Sequence, residues 1–192
     1  MFAIQKIKQL FGIQELKDAQ LECLEAFSNH QDTMCILPTG YGKSVIYQMS
    51  PFIHFAKTLE NPSGEIDFTN NPFITFVLTP LNSIIKDQVS DLCTRGIKAC
   101  ALDFSGEEAQ TYLTSMSSLN LGDTSSSEDE DTDGQLELVN ISMEAILQGK
   151  YNLIYAHPEA LISTVKGRDL LLKLRDRVVC IAVDEAHMIF EW

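Results

Sequence analysis

Leu37-Pro38-Thr39-Gly40-Tyr41-Gly42-Lys43-Ser44 constrains this chain more than any other stretch. It follows residues 33–37, which read as a short apolar strand, and opens residues 43–57, whose pattern is helical. Between a strand and a helix, Gly40 and Gly42 let the backbone curl so that amide N–H groups and the helix N-terminus face an anion. Lys43 can then reach the β and γ phosphates of a nucleotide, and the Ser44 hydroxyl can ligate Mg²⁺. The strict phosphate-loop pattern has Gly where this chain has Leu37, so the match is to the P-T-G-x-G-K-S variant. A glycine-rich turn that only caps a helix is the plainer alternative.

The rest of the chain alternates strand and helix patterns. Apolar residues at Leu16, Ala19, Cys23, Ala26 and Phe27 form a helical stripe over 16–27, broken at 29–32. Residues 60–72, with prolines, a glycine and asparagines, read as a surface loop, and 73–78 as a strand covered on both faces. A helix is expected over 81–94, strands at 99–102, 152–156 and 178–183, and a helix start at 158–164. This alternation predicts an α/β fold with a parallel sheet. Residues 115–134 contain no aromatic side chain and a block of acids, and read as a disordered excursion inside the domain.

Composition bounds the function classes. The chain has 192 residues, 45% hydrophobic and 21% charged, enough for one sizeable core. Its longest unbroken apolar run, Val178 to Val183, falls far short of the roughly 20 residues of a membrane-spanning helix. No secretory signal follows Met1, so a soluble intracellular chain is expected. The cysteines Cys23, Cys35, Cys93, Cys100 and Cys180 lack C-x-x-C spacing and read as buried thiols. The net charge is −13, and the body stays acidic even without Asp123, Glu128, Asp129, Glu130, Asp131 and Asp133. A nucleic-acid backbone must therefore be met by a local groove of amides and a few cations, not by bulk attraction.

The strand 178–183 ends in Asp184-Glu185-Ala186-His187, which places Asp184 at the carboxyl end of the sheet beside the phosphate loop. Asp184 would hold Mg²⁺ through water, and Glu185 would orient and deprotonate an attacking water. Read alone, the pair is also compatible with a solvated turn after a strand.

Asp184-Glu185-Ala186-His187 with Pro38-Thr39-Gly40-Tyr41-Gly42-Lys43-Ser44 resembles motifs II and I of superfamily 2 helicases. Thr79-Pro80-Leu81-Asn82-Ser83-Ile84-Ile85-Lys86-Asp87-Gln88-Val89 closely resembles motif Ia of RecQ-family DNA helicases, and Tyr155-Ala156-His157-Pro158-Glu159 their motif Ib. Phe11-Gly12, Lys17 and Gln20 resemble that family's motif 0, and Glu191-Trp192 the opening of its aromatic-rich loop. Tyr41 is similar to the Werner-type branch. The chain departs from the pattern with Lys17 in place of arginine, His157 in place of a smaller residue, and Met188 and Phe190 after the DEAH motif.

The resemblance implies a RecA-like P-loop domain, residues 1–192 being the partial first lobe of a motor, truncated after the DEAH strand. It implies ATP and Mg²⁺ as cofactors, held by Lys17, Gln20, Thr39, Gly40, Tyr41, Gly42, Lys43 and Ser44, with Ser44 and Asp184 at the metal. It implies catalytic roles for Lys43, Asp184, Glu185 and His187, a packed core position being the alternative for His187. Thr79, Pro80, Ser83, Lys86, Gln88 and Trp192 would contact DNA, the exposed face of a helix being the alternative for the α-helical ones. The partner would be single-stranded and forked duplex DNA, unwound 3′ to 5′ in nuclear repair and recombination. A strand carrying motif III would lie between 33–37 and 178–183, and without it those two must leave a gap or pair directly. Two other readings stay open: an RNA helicase of the same superfamily, and a non-catalytic module that binds nucleotide or a partner. Ser125, Ser126 and Ser127 each precede an acid by three residues, the pattern of an acid-directed kinase target.

Overall fold

The computed structural model describes residues 2–59, 66–103, 106, 108–114 and 136–187. Its helices are α1 (Phe2–Leu10), α2 (Asp18–Ser28), α3 (Lys43–Thr58), α4 (Asn82–Thr94), α5 (Met143–Leu147) and α6 (Val165–Leu174). Its strands are β1 (Ile74–Leu78), β2 (Ala99–Leu102), β3 (Ala109–Thr114), β4 (Leu136–Ile141), β5 (Leu153–Ala156) and β6 (Val178–Val183). They form one sheet in the order β4-β3-β2-β5-β1-β6. The segment β2-β5-β1-β6 is parallel, as the alternation predicts, and β3 and β4 add an antiparallel hairpin at one edge.

Side chains alternate across the pleat and build a core on each face. Val77, Leu153 and Tyr155 meet Met49 and Phe52 of α3, Ile85, Val89 and Leu92 of α4, and Ile7 of α1. Ile74, Phe76, Leu78, Ile154 and Ala156 point the other way and meet Ile146, Leu161, Leu170 and Leu174. Strands β1 and β5 are buried along their whole length, which is why they read as continuous apolar runs rather than alternating ones.

Residues 33–37 do not form the expected strand. They belong to no strand of the sheet, and Met34 and Ile36 are 80% and 85% exposed. Among the described residues β6 is paired only with β1, and residues 33–37 do not pair with its outer edge. Ile181 and Val183 on β6 are correspondingly 52% and 40% exposed. The expected helix start at 158–164 is a π-helical turn, Glu159–Ser163, followed by α6. Gly167 lets α6 close on that turn, since a Cβ there would lie 2.2 Å from the Ala160 carbonyl. Within the 60–72 loop a short 3₁₀ turn, Phe68–Asn70, is capped by Asp67, whose carboxylate accepts the Thr69 N–H at 2.8 Å. The acidic excursion 115–134 and Trp192 lie outside the described residues.

Candidate nucleotide site

Gly42 is the N-cap of α3 with φ at 91°, a left-handed conformation that a side chain would strain. No side chain caps the helix there, so the first N–H groups of α3 remain available to an anion. Gln20 of α2 holds this turn from behind. Its Nε2 donates to the Gly42 carbonyl at 2.9 Å and the Tyr41 carbonyl at 3.3 Å, while its Oε1 accepts the Lys17 N–H at 2.9 Å. Lys17 adds a second brace, donating from Nζ to the Tyr41 carbonyl at 3.1 Å with the ammonium 4.3 Å from the Tyr41 ring centroid. Lys43 Nζ donates to the Leu37 carbonyl at 3.3 Å, which keeps its ammonium at the mouth of the loop. Thr39 and Gly40 are exposed on the loop's outer side.

Past β6, the Asp184 N–H donates to the Leu78 carbonyl at 2.8 Å and extends the β1 ladder by one step. The chain then turns sharply. Glu185 has φ at 55°, a sparsely populated conformation for a residue with a side chain, costing on the order of 1–3 kcal/mol. Its N–H donates to Asp184 Oδ1 at 3.1 Å, and its Oε2 lies 3.3 Å from His187 Nδ1. The His187 side chain is 72% exposed, so it is not a packed core histidine.

The two ends of the site are joined by Tyr47 and Gln48, which the sequence reading did not single out, and by Gln88 and Tyr155, which it gave no role at this site. Tyr47 of α3 places its hydroxyl 2.9 Å from Asp184 Oδ2 and 3.0 Å from Gln88 Oε1. Gln88 Nε2 donates to Ser44 Oγ at 3.3 Å. Tyr155 of β5 donates to Gln88 Oε1 at 2.8 Å and accepts from Gln48 Nε2 at 3.0 Å. Burial pushes both tyrosine hydroxyls far up from their ordinary pKa, so both stay protonated donors. A signal existed: Tyr155 stands inside an otherwise aliphatic buried strand, where a hydroxyl must find a partner.

Of the DNA-contact candidates, Ser83 and Lys86 are exposed on α4 and Pro80 is half-buried. Thr79 is fully buried, and among the described residues its Oγ1 has no hydrogen-bond partner. Gln88 is turned inward to the network just described. His157 ties motif Ib to the start of α4, its Nε2 2.7 Å from Asn82 Oδ1, and burial holds its pKa below the usual value against a smaller upward pull from Glu159. Of the cysteines, Cys100 is buried and the others half-buried; burial, reinforced by Cys23, pushes the Cys35 thiol up to about 12.

The oxygens of Ser44 and Asp184 are a hard donor set suited to Mg²⁺, which takes one or two protein oxygens alongside phosphates rather than a full protein cage. No group of three or more His, Cys, Asp or Glu that could hold a metal occurs among the described residues. Uncapped amides at Gly42, a lysine at the loop mouth and a carboxylate at the facing strand end fit a triphosphate. No helix among the described residues is long and apolar enough to cross a membrane.

A mostly parallel sheet with a glycine loop entering α3 and an Asp-Glu pair leaving β6 is the architecture of a RecA-like helicase domain. The profile of the DEAD/DEAH box helicases matches residues 17–192, and the chain belongs to that family. Its relatives include ATP-dependent DNA helicase RecQ of Haemophilus influenzae, 28% identical over 192 residues, covering 99% of this chain and 23% of that protein. RecQ of Bacillus subtilis is 28% identical over 188 residues, covering 95% of this chain and 23% of the relative. ATP-dependent helicase wrn-1 of Caenorhabditis elegans is 25% identical over 190 residues, covering 99% and 13%. The chain thus spans about a quarter or less of the length of these relatives.

Proposed function

We propose that this chain binds ATP with Mg²⁺ and forms the first RecA-like lobe of a RecQ-type DNA helicase that couples hydrolysis to 3′ to 5′ movement and strand separation. The observation that carries the reading is the convergence of Ser44 and Asp184, far apart in sequence, on one hydrogen-bonded cluster beside the uncapped N-terminus of α3. Lys43 meets the β and γ phosphates, Ser44 and Asp184 hold the metal, and Glu185 takes the proton of the attacking water. His187, paired with Glu185, links this end of the site to the rest of the motor. Lys17 and Gln20 border the adenine end, where they also brace the loop. Single-stranded and forked DNA meet the exposed start of α4 at Ser83 and Lys86, with Thr79 and Pro80 shaping the turn and Trp192 contributing from beyond the DEAH motif. In a eukaryotic cell this activity serves DNA repair and recombination in the nucleus.

The test is a titration of the full-length protein with a fluorescent ATP analogue. Lys43→Ala removes most of the affinity, a loss of roughly 1.5–3 kcal/mol for a charged hydrogen bond. Unchanged affinity overturns the phosphate-loop assignment.

A further inference from the structure

The resemblance to motif Ia implies that Gln88 contacts DNA. Its side chain instead lies in the network beneath the nucleotide site, half-buried, with both ends of its amide engaged. Through Nε2 it holds Ser44 Oγ, and through Oε1 it shares the Tyr47 hydroxyl with Asp184. Both oxygens assigned to the metal are therefore tied to one side chain on α4. We propose that Gln88 is a positioning residue that, with Tyr47, sets Ser44 and Asp184 for the metal and couples the placement of α4 to that setting. The inference rests on the nucleotide-site reading above.

The coupling follows from proton counting. The Tyr47 hydroxyl carries one proton and faces two acceptors, the Asp184 carboxylate at 2.9 Å and the Gln88 carbonyl at 3.0 Å. An ionised acceptor outbids a neutral one, so with a bare carboxylate the proton points to Asp184. Gln88 Oε1 is then held by Tyr155 at 2.8 Å, whose hydroxyl is itself fixed by Gln48. When the charge on Asp184 is balanced, that advantage shrinks and the Tyr47 proton is free to turn to Gln88. A helix carrying exposed Ser83 and Lys86 thus feels, through Gln88, whether Asp184 is neutralised.

The experiment uses the full-length protein and compares Tyr47→Phe, Gln88→Ala and Lys86→Ala. Fluorescent ATP-analogue affinity is measured at saturating Mg²⁺ and in EDTA, and single-stranded DNA affinity is measured without nucleotide. Tyr47→Phe removes only a hydroxyl and guards against a folding failure in Gln88→Ala, which thermal unfolding checks. Tyr47→Phe and Gln88→Ala should each weaken the Mg²⁺-dependent affinity roughly threefold to tenfold, leave the EDTA value unchanged, and combine without adding. Nucleotide-free DNA affinity should fall in Lys86→Ala and hold in Gln88→Ala. The proposal is overturned if Gln88→Ala loses DNA affinity with its Mg²⁺ dependence intact, or if neither variant changes the Mg²⁺ dependence. Failure of the underlying site reading is distinguishable, because Lys43→Ala would then also leave nucleotide binding unchanged.

Discussion

The Gln20 amide donates to the Gly42 carbonyl at 2.9 Å, so the residue proposed to border the adenine is also a strut of the phosphate loop. Under the proposed reading, base recognition and phosphate binding would share one side chain, and a disturbance at either end would reach the other.

Gly42→Ala tests that strut. The added Cβ would lie 2.7 Å from Gln20 Nε2 and force a left-handed residue to carry a side chain. We expect a loss of roughly 1–3 kcal/mol in stability and a larger loss of nucleotide affinity than Gly40→Ala causes, where the φ is similarly positive but nothing lies within 4 Å of the new Cβ. Urea denaturation beside nucleotide titration of the two variants reads the difference, and equal affinities would remove Gln20 from the loop's support.

Glu185→Gln separates binding from chemistry. The shape and the neighbouring Asp184 are kept while the base is lost, so ATP turnover should fall roughly 10²–10⁴-fold with binding retained. Steady-state hydrolysis of the full-length variant at the parent rate would exclude Glu185 as the base.

Much of this site could be read from residue order, because phosphate loops and acidic strand ends are local patterns. Residues 33–37 show where local pattern fails: they carry strand-like apolar content, but a strand exists only when a neighbouring strand takes its hydrogen bonds, and that neighbour is not a local property. Helix α1 is not among the expected elements, although Ile4 and Ile7 fall on one helical face and Ile7 is wholly buried. The β3–β4 hairpin was hidden by the interruption between its strands, since hairpins announce themselves through short turns. The network of Tyr47, Gln88, Tyr155 and Asp184 draws on α3, α4, β5 and the end of β6, so only the folded arrangement brings it together.

Acid should destabilise the domain through buried His157 and half-buried His54. Burial lowers the pKa of His157, and burial with nearby His30 and Lys57 lowers that of His54, from the ordinary 6.5. Both are then neutral when folded, while the unfolded chain takes up protons as pH falls through about 6.5. Stability is full above that value, declines as pH drops through it, and levels off below the folded-state values. Thermal midpoints should fall between pH 7.5 and 5.5, with a shallower fall in His54→Phe, whose ring would keep the edge contact with Phe73 now made at 4.5 Å. An unchanged slope in that variant would exclude His54 as a source.

The outer edge of β6 should govern how the 192-residue chain behaves in solution. Ile181 is 52% exposed on a strand whose second side is unpaired among the described residues, a template for pairing between chains. Ile181→Lys should reduce association, read as a lower mean mass in light scattering at matched concentration. Identical masses for parent and variant would show that the β6 edge does not drive association.

At the opposite edge of the sheet, Thr114 and Leu136 are register partners in the β3–β4 pair. The two residues that flank 115–135 are thus held side by side, at the edge of the sheet farthest from β6 and Asp184. Closing a longer excursion between two such neighbours is inexpensive, about 0.6 kcal/mol for each doubling in length. Replacing the acidic run by an unrelated sequence of the same length should therefore leave the β3–β4 pairing and the geometry at the other edge as they are.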